Sequence, residues 1–344
     1  MNEWVILAPA VLLLAAALAI IVLQWWRPNF GFAWLIAAVS ALAAWALALY
    51  LRLRLPSILI LASWQPAELF TSHPVLTIDR FSWPYAAALA TLVLAVILTE
   101  SARSQYQANP VNWAGSLGLG AVSLLAVLSG NPFTLAATWT AVDLVELAVL
   151  LSGGSARQLS QRIVIAFTAR LLGTLSLVGA IVSAPLLGDS FELSMLTPQA
   201  GLFLLLASGL RLGVLPLHLP FSQEPRLRRG IGTVLRLAPA ASSLVLLARL
   251  PKDIIPAQWA GGLTALVAIA AFYSAARWLA AEDELSGRPY WLVGLAALSI
   301  TCVINGQPIS GVAWGVAMLL SGGLLFLYSA RRRSLLFLPL LGLL

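Results

Sequence analysis

Long apolar runs, separated by short polar connections, fill almost the whole of this chain. A helix needs about 20 apolar residues to cross the hydrocarbon core of a bilayer, and this length criterion predicts about eleven spans. The expected spans lie near Val5 to Val22, Phe30 to Tyr50, Tyr85 to Leu98, Val111 to Leu128, Pro132 to Leu151, Ile163 to Val182, Ala200 to Leu217, Ile231 to Leu247, Trp259 to Ala276, Tyr290 to Ile304 and Val312 to Leu327. The pattern therefore predicts a single integral membrane domain over residues 1–344, an all-α polytopic bundle of membrane helices.

The composition is typical of a chain whose side chains mostly face lipid. Hydrophobic residues make up 60% of the chain and charged residues only 10%, whereas soluble proteins carry about a quarter charged residues. Cys302 is the single cysteine, which excludes a disulfide within the chain and a thiolate metal site. With two histidines and no dense group of carboxylates, a haem, zinc or iron–sulfur site is not expected. We therefore expect neither a cofactor nor a metal in this chain.

The distribution of positive charge predicts how the chain crosses the membrane. The formal net charge of +7 reflects loops that face the cytoplasm, and no pattern indicates binding to nucleic acid. Alternate threading of the spans places most arginines on one side, namely Arg27, Arg103, Arg157, Arg162, Arg226, Arg228, Arg229, Arg277, Arg288 and Arg331 to Arg333. The other side receives Arg52, Arg54, Arg80, Arg249 and Lys252. The positive-inside rule then predicts a multi-pass protein of the cell inner membrane, with its N-terminus outside and Arg331 to Arg333 in the cytoplasm.

The longest connection, from Arg52 to Asp79, contains the apolar stretch Pro56 to Trp64. This stretch is too short to cross a bilayer, so we expect it to lie in the membrane interface. None of the connections indicates a separate soluble domain.

Five charged residues fall well inside predicted spans, where a charge costs roughly 2.5–3.5 kcal/mol on insertion scales. They are Asp143 and Glu146 in the fifth span, Arg170 in the sixth, Arg211 in the seventh and Arg236 in the eighth. Left unpaired, they would together cost on the order of 15 kcal/mol, comparable to the stability of a whole domain. They are therefore expected to meet each other, or water, in the bundle interior.

Two interpretations of these charges are open. Asp143 and Glu146 are three residues apart, which places both carboxylates on one helix face. They can belong to a proton or ion relay, in which acids and bases on adjacent helices exchange charge through interior water. They can equally form static ion pairs that hold spans five to eight together.

The seventh span carries Arg211 among residues that interrupt helices, namely Gly209, Gly213 and Pro216. Proline removes a backbone hydrogen bond, and such interrupted helices mark ion sites in transporters, so the pattern predicts a broken seventh helix. A simple helix end at Pro216 is the alternative. His218 is a candidate proton carrier, because histidine titrates near neutral pH, or else a polar group at the interface.

The spacing of Arg211, Pro216, Leu217 and His218 resembles the Lys-x-x-x-x-Pro-Leu-His signature of the antiporter-like subunits of respiratory complex I and of the multisubunit cation–proton antiporters. Further segments are similar to motifs of that family and occur in the same order along nearly all of the chain. They are Leu76 to Phe81 with Asp79 before the third helix, Asp143 with Trp139 at the position of a buried glutamate, Arg170 with Gly179, Leu247-Ala248-Arg249 closing the eighth helix, Gly261 to Leu266 opening the ninth, and Gly323 to Leu327 in the eleventh.

The sequence departs from that family at its titratable positions. Arg211 stands where the family has lysine, and Arg236 is the charge nearest to the family's histidine or lysine in the eighth helix. Met318 and Gly322 occupy the histidine and lysine positions of the eleventh. Arginine is in effect permanently charged, so Arg211 can tune a neighbouring group but cannot hand on a proton. The chain also stops after helix eleven, where members of the family continue.

The resemblance implies a first antiporter-like five-helix repeat over residues 111–250 and an incomplete second repeat over 257–344. It further implies a membrane subunit of a complex-I-like NADH-quinone oxidoreductase that contributes to proton translocation. The implied relay residues are Asp143, Glu146, Arg170, Arg211, His218 and Arg236. Redox chemistry, including any contact with quinone, would lie in the other membrane and hydrophilic subunits of the complex. The open alternatives are a non-pumping scaffold subunit, and the membrane partner in a carbon-dioxide-hydrating or hydrogenase complex.

Overall fold

Helices follow the apolar runs closely in this computed structural model, which describes residues 3–28, 30–62, 73–102, 109–153, 157–183, 198–219, 229–251 and 255–328. The eleven α-helices of these residues are α1 Ala8–Trp26, α2 Ala33–Tyr50, α3 Ser82–Ala102, α4 Pro110–Leu128, α5 Pro132–Gly153, α6 Arg157–Ser183, α7 Pro198–Leu212, α8 Arg229–Arg249, α9 Ala257–Leu279, α10 Glu284–Ile304 and α11 Pro308–Tyr328. Ten of them are long and apolar enough to cross a membrane. The expected all-α polytopic membrane bundle is therefore confirmed.

Helix α7 is shorter than the other ten. Its apolar stretch from Ala200 to Leu212 rises about 20 Å at 1.5 Å per residue, which is less than the hydrocarbon core of about 30 Å. The sequence predicts a span as far as Leu217, but residues 213–217 form turns instead. Gly213 has a φ of 75°, a left-handed conformation that commonly ends helices and that glycine adopts without strain.

A short antiparallel hairpin replaces part of the expected interfacial segment. Strand β1, Ser57–Ile60, pairs with strand β2, Val75–Ile78, so that Leu59 lies opposite Leu76. Both of these leucines are buried, whereas Ile58 and Ile60 point outward. Because buried Leu59 and exposed Ile58 and Ile60 are all apolar, this alternation leaves no visible period in the sequence, and the strand is therefore not predicted. Residues 63 and 64 of the predicted segment lie outside the described residues.

Helix α8 occupies the centre of the bundle. All of its residues from Gly230 to Ala248 are buried, and it packs against α3, α4, α5, α7, α10 and α11. A helix that is enclosed on every side must find partners for its polar groups inside the protein. Arg229, Arg236 and Arg249 stand near its start, in its middle and at its end, so three levels of the bundle each receive one guanidinium group from α8.

Arg249 ties the end of α8 to the hairpin and to the starts and ends of neighbouring helices. Its Nε lies 3.0 Å from Asp79 Oδ2, while its Nη atoms donate to the backbone carbonyls of Ser129 and Thr77. Asp79 Oδ1 in turn accepts the backbone N–H of Ser82 at 2.7 Å. Burial opposes the charge of Asp79, but Arg249 and the hydrogen bonds from Ser82 outweigh it and lower the pKa of Asp79. Asp79 and Arg249, which belong to two motifs far apart in the sequence, thus form one ion pair.

A second group of charges gathers at the opposite end of α8. Arg229 Nη2 lies 2.6 Å from Glu284 Oε1, and Glu284 belongs to the first turn of α10. Arg288 Nη1 donates to Thr233 Oγ1 over 3.4 Å, and that hydroxyl donates to the Arg229 carbonyl. Glu100 accepts a backbone hydrogen bond from the first turn of α8 at 3.2 Å. These groups join α3, α8 and α10.

The contacts at the two ends of α8 agree with the predicted threading. Arg229 and Arg288, which the sequence places on one side, are near neighbours, and Arg249 pairs with the chain that follows the hairpin. Which side faces the cytoplasm stays a prediction. Arg103, Arg226, Arg228, Lys252 and Arg331 to Arg333 lie outside the described residues.

Replacing Arg249 with alanine is expected to destabilise the fold. The change removes hydrogen bonds from a charged donor to Asp79, Ser129 and Thr77, and we expect a decrease of about 1–3 kcal/mol in unfolding free energy. Because the pKa of Asp79 is lowered in the folded protein, its contribution is present above the ordinary pKa of aspartate and disappears as the pH falls through the lowered value. The difference between wild type and variant should therefore shrink in acid.

Thermal unfolding of the purified protein in detergent, followed over a range of pH, measures this difference. Arg80→Ala is the matched control, because Arg80 is exposed and its guanidinium group lies over the ring of Phe81. An equal fall of the midpoint in the two variants would contradict the role assigned to Arg249.

Candidate functional site

Four charged side chains meet near the middle of the bundle, between α5, α6 and α7. They are Asp143, Glu146, Arg170 and Arg211, all buried. The expectation that charges from different spans converge therefore holds for these four residues, which we call the central cluster. Asp143 and Glu146 do share one face of α5, as their spacing predicts, since Arg170 reaches both.

Arg211 and Asp143 form a bidentate ion pair. Nη1 lies 2.7 Å from Oδ2 and Nη2 lies 2.7 Å from Oδ1, the parallel arrangement that fits a planar guanidinium to a carboxylate. Nη1 also donates to Thr174 Oγ1 at 3.2 Å. The guanidinium carbon stands 4.5 Å from the ring centre of Trp139, in cation–π contact. Asp143, Thr174 and Trp139 thus contact the Arg211 guanidinium group from different sides.

Arg170 bridges the two carboxylates of α5. Its Nη1 donates to Glu146 Oε2 in a short hydrogen bond and lies 3.6 Å from Asp143 Oδ1. Asp143 is therefore shared by two guanidinium groups, whereas Glu146 contacts one in the described structure. Protonation of Asp143 would therefore affect ion pairs with two guanidinium groups, whereas protonation of Glu146 would affect one described ion pair.

Arg236 brings a third guanidinium group to the same region. It is buried on α8, with 6% of its surface exposed, and its charge interacts with that of Arg170. Three positive groups thus face two carboxylates, a formal excess of one positive charge among the described residues.

Small and polar residues of neighbouring helices position the central cluster. Gly173 on α6 allows α7 to approach, because a Cβ atom there would lie 2.7 Å from Arg211 Cγ and 3.1 Å from the Ala207 carbonyl oxygen. Trp139 Nε1 donates to Ser242 Oγ of α8 at 2.8 Å, which fixes the ring beneath the arginine. The charge pattern of the sequence does not mark Gly173, Thr174 or Ser242 as part of this site. Gly173 and Thr174 lie three and four residues after Arg170, a spacing that places them on the same helix face.

Arg211 lies in the last turn of α7, where the helix dipole favours a positive charge. Beyond Gly213 the chain folds back, and Val214 N donates to the Gly209 carbonyl at 2.9 Å. A Cβ atom on Gly209 would lie only 2.6 Å from Leu215 Cβ. Residues 213–219 contain no second helical segment, so the described part of this region shows a helix end, with Gly209 and Gly213 at the reversal and Pro216 beyond it. Residues 220–228 lie outside the description.

His218 does not join the central cluster. Its Nδ1 lies 2.7 Å from the Pro216 carbonyl oxygen, and the side chain lines a cavity against α9 instead. Of the six predicted relay residues, the structure brings five into one region and leaves His218 apart. Within the described ranges, no three His, Cys, Asp or Glu side chains are arranged to hold a metal ion.

Comparison with known proteins gives a match in fold but none in sequence. No protein-family model matches the sequence, and no curated protein matches it. The fold is similar to that of a chain in the membrane-bound sulfane sulfur reductase, an archaeal respiratory membrane complex, with a TM-score of 0.75 and 16% sequence identity. The match covers 94% of this chain and 56% of that chain. This likeness establishes the fold.

Asp143→Asn is expected to destabilise the protein strongly. It removes the charge that Arg211 and Arg170 share, and stranding a buried partner typically costs about 3–5 kcal/mol. In the Asp143→Asn background, Arg211→Met should cost less than it does in the wild type, because the pair is already broken. Unfolding midpoints of the two single variants and the double variant in detergent give the coupling. Additive effects would contradict the pairing.

Gly173→Ala is expected to lower the unfolding midpoint, because the added methyl group would press on Arg211 and on the Ala207 carbonyl. Gly262→Ala on α9 is the matched control, since no atom lies within 4 Å of the site of its Cβ. There the change should raise helix stability by up to about 1 kcal/mol. The same measurement in detergent compares both, and a Gly173→Ala variant as stable as Gly262→Ala would argue against close α6–α7 packing.

Proposed function

We propose that this chain is a membrane subunit of a multisubunit, complex-I-like respiratory complex, and that the central cluster takes part in proton translocation. Two carboxylates in direct contact with guanidinium groups, buried within the bundle, support this proposal most strongly. Ionisable groups inside membrane bundles are expensive and commonly mark ion or proton pathways. The shared fold with a chain of an archaeal respiratory membrane complex gives independent support.

The carboxylates carry the proton in this mechanism, because arginine stays charged. Protonation of Glu146 adds one proton to a carboxylate oxygen and breaks its pair with Arg170. Arg170 Nη1, already 3.6 Å from Asp143 Oδ1, then turns fully to Asp143. Release of the same proton restores the starting pairs, so uptake and release balance. Arg211 keeps its bidentate grip on Asp143 throughout and serves as the fixed charge around which Arg170 moves.

The remaining parts of the activity belong to partners in this proposal. Other membrane and hydrophilic subunits carry the redox chemistry, including any steps with NADH and quinone, and drive the change at the central cluster electrostatically. The chain lies in the cell inner membrane with its N-terminus outside, as the distribution of arginines favours. The antiporter-like repeats over residues 111–250 and 257–344 belong to the same proposal.

A scaffold without pumping is a second candidate function. The bidentate pair of Arg211 with Asp143, backed by Thr174 and Trp139, is the arrangement that a static lock between α5 and α7 would have. Arginine in place of a titratable lysine favours the same function.

Measurement of proton uptake per electron separates the two candidates. The complex is isolated through a tag on this chain, reconstituted in vesicles and supplied with its own electron donor. Glu146→Gln, which cannot take up a proton, should lower the ratio of protons to electrons, whereas Arg211→Lys should retain most of it because the fixed charge remains. Asp283→Asn, an exposed carboxylate that caps α10, is the control and should pump like the wild type.

An assembled Glu146→Gln complex that pumps at the wild-type ratio would rule out the relay in this chain. Failure of both Glu146→Gln and Asp143→Asn to assemble, with normal pumping in any residual complex, would favour the scaffold instead.

A further inference from the structure

An exposed arginine stands at the end of α9 without a carboxylate partner. Arg277 donates from Nη2 to the Tyr290 hydroxyl at 3.2 Å, and its guanidinium carbon lies 5.2 Å from the centre of that ring. Within the described ranges it forms no ion pair with an acid. Tyr290 in turn packs edge-to-face on Tyr273, with ring centres 6.2 Å apart. The two tyrosines therefore hold in place a positive charge that is available to an external anion.

The rest of α9 presents apolar side chains outward. Leu266, Ile269 and Phe272 are 55%, 60% and 80% exposed, and the helix is long and apolar enough to cross a membrane. An exposed apolar face of this kind is expected to contact the acyl chains of the bilayer. Tyrosine is typical of the level of the lipid headgroups, so Tyr273, Tyr290 and Arg277 are expected to lie where phosphate groups are found.

A cavity of about 250 Å³ opens one turn deeper, between the residues that follow α7 and the last turns of α9. Its walls are Leu217, His218 and Leu219 on one side and Tyr273 and Ser274 on the other. Leu217 and Tyr273 each keep more than a third of their surface exposed. The cavity is therefore open at the surface of the bundle, beside the apolar face of α9.

Two buried polar atoms of the cavity wall have no hydrogen-bond partner in the described structure. One is Oγ of Ser274, a residue that is 1% exposed. The other is Nε2 of His218. Nδ1 of that ring lies 2.7 Å from the Pro216 carbonyl oxygen, which only accepts, so Nε2 of the neutral imidazole presents a lone pair. Buried polar groups are rarely left unpaired, so both atoms call for an occupant of the cavity.

We propose that Arg277 and this cavity bind an anionic glycerophospholipid of the phosphatidylglycerol class. The phosphate contacts Arg277, an ester carbonyl accepts a hydrogen bond from Ser274 Oγ, and a headgroup hydroxyl donates one to His218 Nε2. The acyl chains lie along the exposed side chains of α9. Ser274 and Arg277 are three residues apart, a rise of about 4.5 Å along the helix, and they meet the ester and then the phosphate in the order in which a lipid presents them.

The size and charge of the site favour a lipid over a smaller occupant. The cavity is smaller than the roughly 300–1,000 Å³ of sites that enclose a whole ligand, which suits a molecule whose chains stay in the bilayer. Water would satisfy Ser274 and His218 but would use neither Arg277 nor the apolar surface beside the opening. No described carboxylate lines the cavity, so an anionic headgroup meets no like charge there. The bound lipid would join α9 to the chain that follows Arg211, whether or not the central cluster moves protons.

Native mass spectrometry of the purified, delipidated protein tests the preference for an anionic lipid. Phosphatidylglycerol and phosphatidylethanolamine with identical acyl chains are titrated separately. We expect phosphatidylglycerol to bind at least about tenfold more tightly, and Arg277→Gln to lose most of this preference because a charge-assisted contact with phosphate is removed. Arg52→Gln is the matched control, since Arg52 is also exposed and lies 4.8 Å from the ring centre of Trp83, on the other predicted side of the membrane. It should keep the preference.

Equal binding of the two lipids, or an unchanged preference in Arg277→Gln, would overturn the proposal. Ser274→Ala should weaken the binding of both lipids, because both carry the ester groups. Full binding of both lipids by Ser274→Ala would remove the cavity from the site. Displacement of the lipid by an equal concentration of inorganic phosphate would indicate a site for a free anion and reject the lipid.

A photo-crosslinking amino acid at Phe272 tests the same surface in the intact complex. Phe272 is 80% exposed, so replacing it with p-benzoylphenylalanine is expected to leave the fold unchanged. An adduct with a phospholipid is the expected product after irradiation in native membranes. An adduct with another polypeptide would assign this face to a partner subunit and contradict the proposal. Neither measurement depends on proton translocation, so a failure here and a failure of the proposed function are distinguishable.

Discussion

The complete burial of α8 governs the arrangement of charge in this protein. Residues Gly230 to Ala248 of α8 are buried among six other helices, so the charge of Arg236 in the middle of the helix needs partners inside the protein. Arg249 finds Asp79 at one end, and Arg229 finds Glu284 at the other. Arg236 lies between them and adds its charge to the region of Arg170. The helices around α8 therefore carry polar groups at three levels.

Arg211 and Arg170 of the central cluster contact the carboxylates with different geometry. Arg211 uses both of its terminal nitrogens on one carboxylate and rests on Trp139, which is the geometry of a fixed pair. Arg170 instead faces both carboxylates with the same nitrogen, because Nη1 donates to Glu146 Oε2 and lies 3.6 Å from Asp143 Oδ1. The fixed pair therefore joins α5 to α7, and the shared contact joins α5 to α6.

Much of this arrangement follows from simple rules applied to the sequence, and the remainder depends on tertiary packing. Spans follow from the length of apolar runs, and the convergence of Asp143 with Arg211 follows from the cost of isolated charges in lipid. The choice of partner does not, because Arg170 and Arg211 are equivalent until packing at Gly173 sets the distance between α6 and α7. The strand Ser57–Ile60 is hidden in the sequence because its buried Leu59 and its exposed Ile58 and Ile60 are all apolar, so no polar residue marks the exposed face.

The two acids on α5 differ in the number of ion pairs that they form with guanidinium groups. Protonation of Asp143 would break its ion pairs with two guanidinium groups, one of them bidentate, whereas protonation of Glu146 breaks a single described ion pair. In a dry site, breaking a hydrogen bond between charged groups costs more than breaking one between neutral groups. This difference is the reason why the proposed function places the exchanged proton on Glu146 and lets Arg170 turn to Asp143. A cluster built only as a lock has no need of this asymmetry, since two equally paired acids would hold α5 to α6 and α7 more firmly.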